Sequence, residues 1–415
     1  MSVRSTVLIG ELPPLGQMPE RMVAQVIRQN RFGDPRGAFQ IEAVPVPSLQ
    51  PDQVLIAVMA TGINFNNVWA ARGLPIDVIA VRQKQGEPWD FHVGGSDASG
   101  VVQAVGCDVK GVKVGDEVVV HHGWWDRNDP WVKNGKDPML APSARIWGYE
   151  TNFGSFGQFT VAQAHQVLPK APQLTWEQAA APTLVGTTAY RMLFGWEGHT
   201  VRQGDVVLIW GGSGGLGSQA IQLVKAHGGI PVAVVSDDAR GEFCQKLGAI
   251  GYINRKDFNH WGVPPHWTDA EGQKRWTAAV RAFRDRLWQV IGDKRNPAIV
   301  FEHPGEATIP TSLYVCAIGG MIVICAGTTG YSAMVDLRYH WVHQKRLQGS
   351  HGTNDVQARA YNELVHRKVI DPALGQVGTF EDIPKMHFEM AEGIEVFGNR
   401  VCLVGASRPG LGARS

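Results

Sequence analysis

Val206-Val-Leu-Ile-Trp210 runs directly into Gly211-Gly-Ser-Gly-Gly-Leu-Gly217. Five apolar residues without a break read as a strand buried on both faces of a sheet. Gly212, Gly214 and Gly217 satisfy the spacing GxGxxG, and residues 218–227 read as a helix. The glycine pattern alone is weak, but between a buried strand and a helix it has the context it requires. The glycines permit a tight turn, close approach of a pyrophosphate, and close packing of helix on strand. The free N–H groups and positive dipole end of the helix then face the phosphates. Gly212, Ser213, Gly214, Gly215, Leu216 and Gly217 are therefore candidate cofactor-binding residues. A glycine-rich turn with no ligand is the bland alternative.

Moving outward, residues 230–235 read as a second strand that ends in Ser236-Asp-Asp-Ala-Arg240. An NAD enzyme places an acid at this strand tip for the ribose 2′-hydroxyl, and an NADP enzyme places small polar groups and a cation there. Ser236 ends the strand without an acid, and Arg240 is placed to grip a 2′-phosphate with its fork. Asp237 and Asp238 argue the other way. NADPH is the expected cofactor, with Arg240 as an ordinary exposed helix residue the alternative. Later strand ends belong to the same site, because ligands sit at the carboxyl ends of parallel strands. They make His303, in Val300-Phe-Glu-His-Pro304, and Gly327, in Ile324-Cys-Ala-Gly-Thr328, candidates to line nicotinamide or ribose. A structural role for His303 is an equal alternative.

Strand-like and helix-like runs alternate from about residue 185 to 350, which indicates a doubly wound parallel sheet with helices on both faces. Residues 257–274, with Trp, Pro and His, read as a surface insertion. The preceding part differs. Short strand-like runs at 23–27, 39–46, 53–60, 99–105 and 117–122 indicate a small, mostly β unit. Residues 1–22 read as an extended Pro-rich arm, and 124–145 as a long irregular loop. After about residue 350 come a helix at 355–367 and a strand near 401–404, too little for a domain, and expected to pack back on the first unit. Residues from Ser407 onward read as a loose tail.

The composition sets limits. Apolar residues make up 44% and charged residues 19% of 415, ordinary for a globular enzyme of two or three domains. A net charge of +1 offers no field for nucleic acid, so a phosphorylated ligand needs local Arg or Lys groups. Cys107, Cys244, Cys316, Cys325 and Cys402 are scattered with no CxxC pair, which suggests neither a disulfide framework nor a structural zinc lobe. The apolar run at 7–9 is too short for a signal peptide or membrane span, so a cytoplasmic location without a membrane partner is expected.

Several further stretches carry a family likeness: Pro19-Glu-Arg-Met22, Gly62-Ile-Asn-Phe-Asn66 with Val68-Trp69, Ile146-Trp-Gly-Tyr-Glu-Thr-Asn-Phe-Gly154, Val300-Phe-Glu-His-Pro-Gly305 and Gly349-Ser-His351. With them the chain resembles the medium-chain dehydrogenase/reductase superfamily, and within it the crotonyl-CoA carboxylase/reductase branch of enoyl-CoA reductases. The resemblance spans nearly the whole chain. It implies an α/β protein with a GroES-like, mostly-β catalytic domain (1–184 and 351–415) and a Rossmann NADP(H)-binding domain (185–350). It also implies a homo-oligomer, tetramer or dimer. Zinc-dependent members of the superfamily carry a Cys after the first strands and a Gly-His-Glu motif later. Here those places read Asn64-Phe-Asn66 and Gly94-Gly-Ser-Asp97, so no catalytic metal is expected.

The chemistry implied by this resemblance is NADPH-dependent reduction of a short-chain 2-enoyl-CoA such as crotonyl-CoA or acryloyl-CoA, with the enolate trapped by CO2. The family's catalytic groups match Asn66, Tyr149, Glu150 and His351. Asn66 would donate to a CO2 oxygen, Glu150 would accept from and orient Asn66, and His351 would act through a water or protonate the enolate. Tyr149 would shield the pocket, where the branch usually has Phe. Arg338 would contact a CoA phosphate. The bland alternatives are a turn cap for Asn66, a structural pair for Glu150 and His351, and a solvated basic face for Arg338 with Lys345-Arg346. His121-His122 shows no third ligand at metal spacing, and Trp124 and Trp125 read as packing for their loop. A non-carboxylating enoyl-CoA reductase, a quinone oxidoreductase and a non-catalytic NADPH-binding protein like the lens crystallins remain open as other functions.

Overall fold

The computed structural model describes residues 8–394 and 396–414. The first seven residues of the expected Pro-rich arm, and Ser415 of the expected tail, lie outside the described residues. The chain forms two compact units, one holding residues up to Thr187 with 352–368 and 372 onward, the other holding 188–351 and 369–371.

The second unit carries the glycine-rich turn. Its six strands are β1 (Val206–Trp210), β2 (Ile230–Val235), β3 (Gly251–Asn254), β4 (Ile299–Glu302), β5 (Met321–Ile324) and β6 (Arg346–Gly349). They pair in the order β3-β2-β1-β4-β5-β6, and every pairing is parallel. The order reverses beside β1, so the carboxyl ends of β1 and β4 flank the position where such sheets take ligands. Leu208, Val232, Val300 and Ile322 are fully buried between the helices. Those helices are α1 (Gly215–Ala226), α2 (Asp238–Leu247), α3 (Ala270–Ile291) and α4 (Ile309–Val315).

Helix α3 begins inside the stretch expected to be a surface insertion, which is a correction. Its 22 residues bury Trp276, Val280, Phe283 and Leu287, a spacing of four, three and four that marks one helix face. Asp269 caps its start by accepting from Gly272 N at 2.8 Å, and Gly292, at φ +77°, ends it.

In the first unit the long strand Gln53–Ile63 is central. It pairs antiparallel with Ala98–Val105 and Phe159–Gln163, and its far end pairs with Asn399–Leu403. The strand Leu374–Gly378 adds parallel to the last of these, so the C-terminal segment completes the sheet that the N-terminal segment begins. Val401 and Cys402 of that returning strand are fully buried, and for Val401 removal from water is worth about 1.5–3 kcal/mol.

At the chain ends, arm and tail are both held, and for the tail this overturns the expectation. The described part of the arm is tied down: Gly10 N donates to Val404 O at 3.0 Å and Gln158 Nε2 to Leu8 O at 3.0 Å. The tail is not loose either. Trp176 N donates to Leu411 O at 2.8 Å, Lys170 Nζ to Gly412 O at 2.8 Å, and Gly410 N to Glu177 Oε1 at 2.8 Å. These bonds give both ends partners for their backbone groups. The expected loop at 124–145 contains a two-residue pairing of Gly123–Trp124 with Arg145–Ile146 and the short helix Pro130–Lys133. Among the described residues no helix is long and apolar enough to cross a membrane.

Candidate active site

The glycine turn is shaped by packing at two positions and left open at a third. A Cβ on Gly217 would lie 2.3 Å from Gly211 O, and one on Gly212 would lie 2.8 Å from the Ala233 Cβ. At Gly214 the nearest atom to such a Cβ is Gly211 O at 3.6 Å, an ordinary contact. Packing therefore does not require Gly214, whereas close approach of a pyrophosphate does. Gly214 is also the N-cap of α1 and offers no side-chain cap, so first-turn N–H groups keep their capacity for an anion. Gly215 and Leu216 open the helix, and Ser213 lies buried beside it. The residues present fit a dinucleotide.

The strand tip after β2 resolves part of the conflict among Ser236, Asp237 and Arg240. Asp237 is the N-cap of α2 and accepts from Arg240 N at 3.0 Å and from Arg240 Nε at 3.1 Å. The backbone N–H of Arg240 is the main reason its carboxyl sits below the usual range. Asp237 is thus occupied as a cap, while Arg240 Nη1 reaches Ser213 Oγ at 3.4 Å. The arrangement sets a hydroxyl and a guanidinium side by side at this strand tip and commits Asp237 as a helix cap.

Across the switch point, His303 leaves β4 with its ring against Gly211: a Cβ there would lie 2.3 Å from His303 Nε2. Burial pushes this imidazole down to about 4, so it is neutral at pH 7. Thr328 N donates to His303 O at 3.2 Å, which ties the end of β5 to that of β4, and Gly327 sits at this junction with its α-carbon 3.2 Å from a Cβ on Gly305. Below them lies a group that sequence reasoning missed. Glu302 is fully buried and accepts from Ser312 Oγ at 2.5 Å and Thr308 Oγ1 at 2.9 Å. Burial raises its carboxyl to about 7. Ser312 in turn accepts from Trp210 Nε1 at 2.8 Å, joining the ends of β1 and β4. An acid inside a strand otherwise wholly apolar was the available signal.

In the first unit the helix Phe65–Arg72 follows directly on the central strand. Asn66 Nδ2 donates to Ser96 Oγ at 2.9 Å, and Asn64 Nδ2 to Asp97 Oδ2 at 2.7 Å. The other Asp97 oxygen accepts from Leu184 N at 2.5 Å. Burial holds the Asp97 carboxyl well above its usual range despite these two donors. The two places where zinc dehydrogenases keep ligands are thus hydrogen-bonded to each other. Amides, a hydroxyl and a carboxyl with both oxygens taken do not fit a zinc ion, which needs thiolate, imidazole or free carboxylate.

Glu150 and Tyr149 lie on the turn at 146–150. Glu150 Oε2 accepts from Ile146 N at 2.7 Å, and Tyr149 is buried. The expected bond from Asn66 to Glu150 is not the one formed; the Asn66 amide donates to Ser96, a residue the sequence reading passed over. Glycines set this turn against the 94–97 segment. A Cβ on Gly148, at φ +69°, would lie 1.8 Å from Gly95 O, and one on Gly154 would lie 2.4 Å from Gly94 O. His351 is exposed at the end of the second unit, following the buried Ser350.

The expected basic cluster disperses. Arg338 is gripped by Asp336, at 3.0 Å from Nε and 2.6 Å from Nη2, so a CoA phosphate would have to displace that carboxylate. Lys345 is buried and donates to Leu313 O at 2.6 Å, while Arg346 Nη1 reaches Glu197 O at 3.2 Å. His121 does acquire companions, a further correction. Asp355 Oδ1 lies 3.1 Å from His121 Nε2 and 2.8 Å from His165 Nδ1, and the three ligand atoms fall within 4.8 Å of one another. Yet His121 Nδ1 accepts from Gly123 N at 3.2 Å. That fixes Nε2 as the protonated nitrogen, the opposite of what a metal at Nε2 requires. The cluster is a hydrogen-bonded latch. Trp125 stacks on His165 at 4.1 Å, as its packing role implies.

Two family models match the chain: the alcohol dehydrogenase GroES-like domain over residues 50–173 and the zinc-binding dehydrogenase over 215–367. With the sheet topology they define a medium-chain dehydrogenase/reductase. The crotonyl-CoA carboxylase/reductase of Cereibacter sphaeroides is 48% identical over 97% of this chain and 92% of its own length. A solved structure of the crotonyl-CoA carboxylase/reductase AntE in complex with NADP superposes with TM-score 0.93 at 51% identity, covering 97% of this chain and all of that one. The 2-octenoyl-CoA carboxylase reductase CinF, solved with NADP and 2-octenoyl-CoA, is 36% identical with TM-score 0.86, over 96% of this chain and 91% of that one. The chain belongs to the crotonyl-CoA carboxylase/reductase family.

Proposed function

We infer that the chain reduces a short-chain 2-enoyl-CoA with NADPH and carboxylates the enolate with CO2. The observation that carries this reading is the Asn66 amide, held by Ser96 at 2.9 Å in the stretch 64–66, where zinc-dependent members carry a Cys, within a chain of this family. Gly212 to Gly217 would hold NADPH, with Ser236 and Arg240 toward its 2′-phosphate, and the bound coenzyme would supply the hydride for the β-carbon. His303 and Gly327 line the nicotinamide or ribose.

The substrate is then an enolate. Its α-carbon attacks the carbon of CO2, one C=O electron pair moves to oxygen, and the thioester carbonyl re-forms. Asn66 donates an N–H to a CO2 oxygen, which is a neutral donor suited to an apolar molecule that gains charge only in the transition state. Glu150 locks the turn at 146–150 through Ile146 N–H, and Tyr149 on that turn excludes water. His351 serves the second CO2 oxygen through a water, and delivers the proton when CO2 is absent. Arg338 meets a CoA phosphate only by exchanging Asp336 for it.

A second reading, protonation without carboxylation, is favoured by Tyr149, which brings a hydroxyl to a place where the branch usually has Phe. NADPH oxidation with crotonyl-CoA, with and without bicarbonate plus carbonic anhydrase, separates the two by product mass. The expected result is a dicarboxylic acyl-CoA at high CO2; saturated acyl-CoA alone would refute the carboxylase. The reading includes a cytoplasmic homo-oligomer. Five free cysteines support the first part. Leu337 and Trp341, exposed to 64% and 68% on the second unit, support the second.

A further inference from the structure

We propose that Asn67 is a positioning residue that decides which edge of the Asn66 amide meets the substrate. The inference rests on the role given to Asn66 above. Adjacent residues on a helix do not normally face each other, yet Asn67 Nδ2 donates to Asn66 Oδ1 at 3.0 Å. Asn67 is fully buried, and its Oδ1 accepts from Gly95 N at 3.2 Å. A backbone N–H can only donate, so this bond fixes which end of the Asn67 amide is oxygen. Its NH2 end must then point at Asn66. The Asn66 oxygen is held on that side, and its nitrogen is turned to the opposite side, where Ser96 Oγ accepts one N–H at 2.9 Å. The second N–H of that nitrogen enters no hydrogen bond among the described residues and is the one offered to CO2.

The backbone around Asn67 is cut to this purpose. A Cβ on Gly94 would lie 2.1 Å from Asn67 Oδ1, and Gly95 adopts φ +98°, which L side chains resist. Turning the Asn66 amide over would set two NH2 groups face to face. The fully buried Asn67 would then lose the partner of its N–H donor, which is disfavoured by an order of magnitude or more. The relay Gly95–Asn67–Asn66–Ser96 thus presets the donor before substrate arrives, the kind of preorganisation that lowers a charge-developing barrier.

Asn67→Asp tests this with almost no change of shape. The new carboxylate still accepts from Gly95 N, but it faces Asn66 with an acceptor, so the Asn66 amide turns over and shows its oxygen to the substrate. When that carboxyl is protonated its O–H donates to Asn66 and the original orientation returns. The measurement is the ratio of carboxylated to merely reduced acyl-CoA, with NADPH, crotonyl-CoA and fixed dissolved CO2, across pH 5.5 to 8.5, for wild type, Asn67→Asp, Ser96→Ala and Asn66→Leu. We expect the Asn67→Asp ratio to fall about tenfold at high pH and to climb back toward wild type as pH drops. Ser96→Ala should lower the ratio by less, without that added pH dependence. If Asn66→Leu abolishes carboxylation while Asn67→Asp keeps the wild-type ratio and pH profile, the positioning role is overturned and the reading of Asn66 survives. If wild type makes no carboxylated product, or Asn66→Leu makes as much, the reading itself falls and the inference with it. Should Asn67→Asp fail to fold, Ser96→Ala decides: a lowered ratio supports the relay and an unchanged one refutes it.

Discussion

Removing the guanidinium of Arg240 should separate NADPH from NADH by a definite amount. Its side chain is only 13% exposed, with Nε on Asp237 and Nη1 beside Ser213. A phosphate on the ribose 2′-oxygen would meet this fork as a charge-assisted contact, worth about 1.5–3 kcal/mol. Arg240→Ala should therefore lower kcat/KM for NADPH by about 10- to 150-fold. NADH has nothing to lose there. It also stands to gain, because Asp237 is released from the guanidinium and becomes an available acid at the strand tip, the arrangement that favours a free 2′-hydroxyl. The α2 cap bond from Arg240 N to Asp237 is a backbone contact and survives the substitution. Steady-state kinetics with saturating crotonyl-CoA and each coenzyme give the two ratios. Competitive inhibition by 2′,5′-ADP against 5′-AMP gives an answer that does not depend on hydride transfer. Equal losses for both coenzymes, or an unchanged preference for 2′,5′-ADP, would refute the placing of the 2′-phosphate.

Two further outcomes follow from buried charges. Glu302, raised by burial from an ordinary 4.5 to about 7, keeps its proton in the folded state while the unfolded chain loses it; stability should fall as pH rises from 4.5 to 7, by up to about 3 kcal/mol. Denaturant unfolding of Glu302→Gln at pH 5 and pH 7.5 should show the variant gaining on wild type at the higher pH, and a constant difference would contradict the assignment. Asp355→Ala should cost about 2–3 kcal/mol at pH 7, less than a fully buried pair because its carboxylate is 31% exposed. Burial raises that carboxyl, but the hydrogen bonds from His121 and His165 outweigh it and hold it below the usual range. The wild-type advantage should thus be present above about pH 4 and fade below it; an advantage independent of pH would remove the ionic part of the latch.

What could be read from the sequence was what is local. The strand Val206–Trp210, the glycines after it and the helix behind them are contiguous, and their spacing alone specifies the turn. The conflict at the tip of β2 was not legible, because an acid three residues before an arginine can serve a ribose or a helix end, and only the bond to Arg240 N decides between them. Helix α3 was legible and overlooked: its buried face recurs every three or four residues, but Trp, Pro and His just before it suggested an insertion. Residues brought together from afar had no local signal. Ser96 lies 30 positions from Asn66, and Asp355 lies 190 from His165. The family likeness pointed to Asn66 and Glu150, but it joined them by a bond that Ser96 takes instead.

The same packing explains why the site suits an enolate. A carboxylate beside a developing anion would raise its energy, and Asp97 stands one residue from the Ser96 that holds Asn66. Its charge is suppressed in two ways. Burial disfavours ionisation outright, and whatever charge forms is covered by Asn64 Nδ2 on one oxygen and Leu184 N on the other. On Asn66 itself the polarity runs the opposite way: the oxygen is covered by Asn67 and the nitrogen keeps a donor. Replacing Asp97 by Asn preserves the shape but forces an NH2 group against either Asn64 Nδ2 or Leu184 N, so the cost is steric and polar at once. The acid is required where it stands because it alone accepts on both sides. An acid whose two oxygens both accept, and whose ionisation burial disfavours, thus stands behind an Asn66 amide that keeps its nitrogen turned toward Ser96.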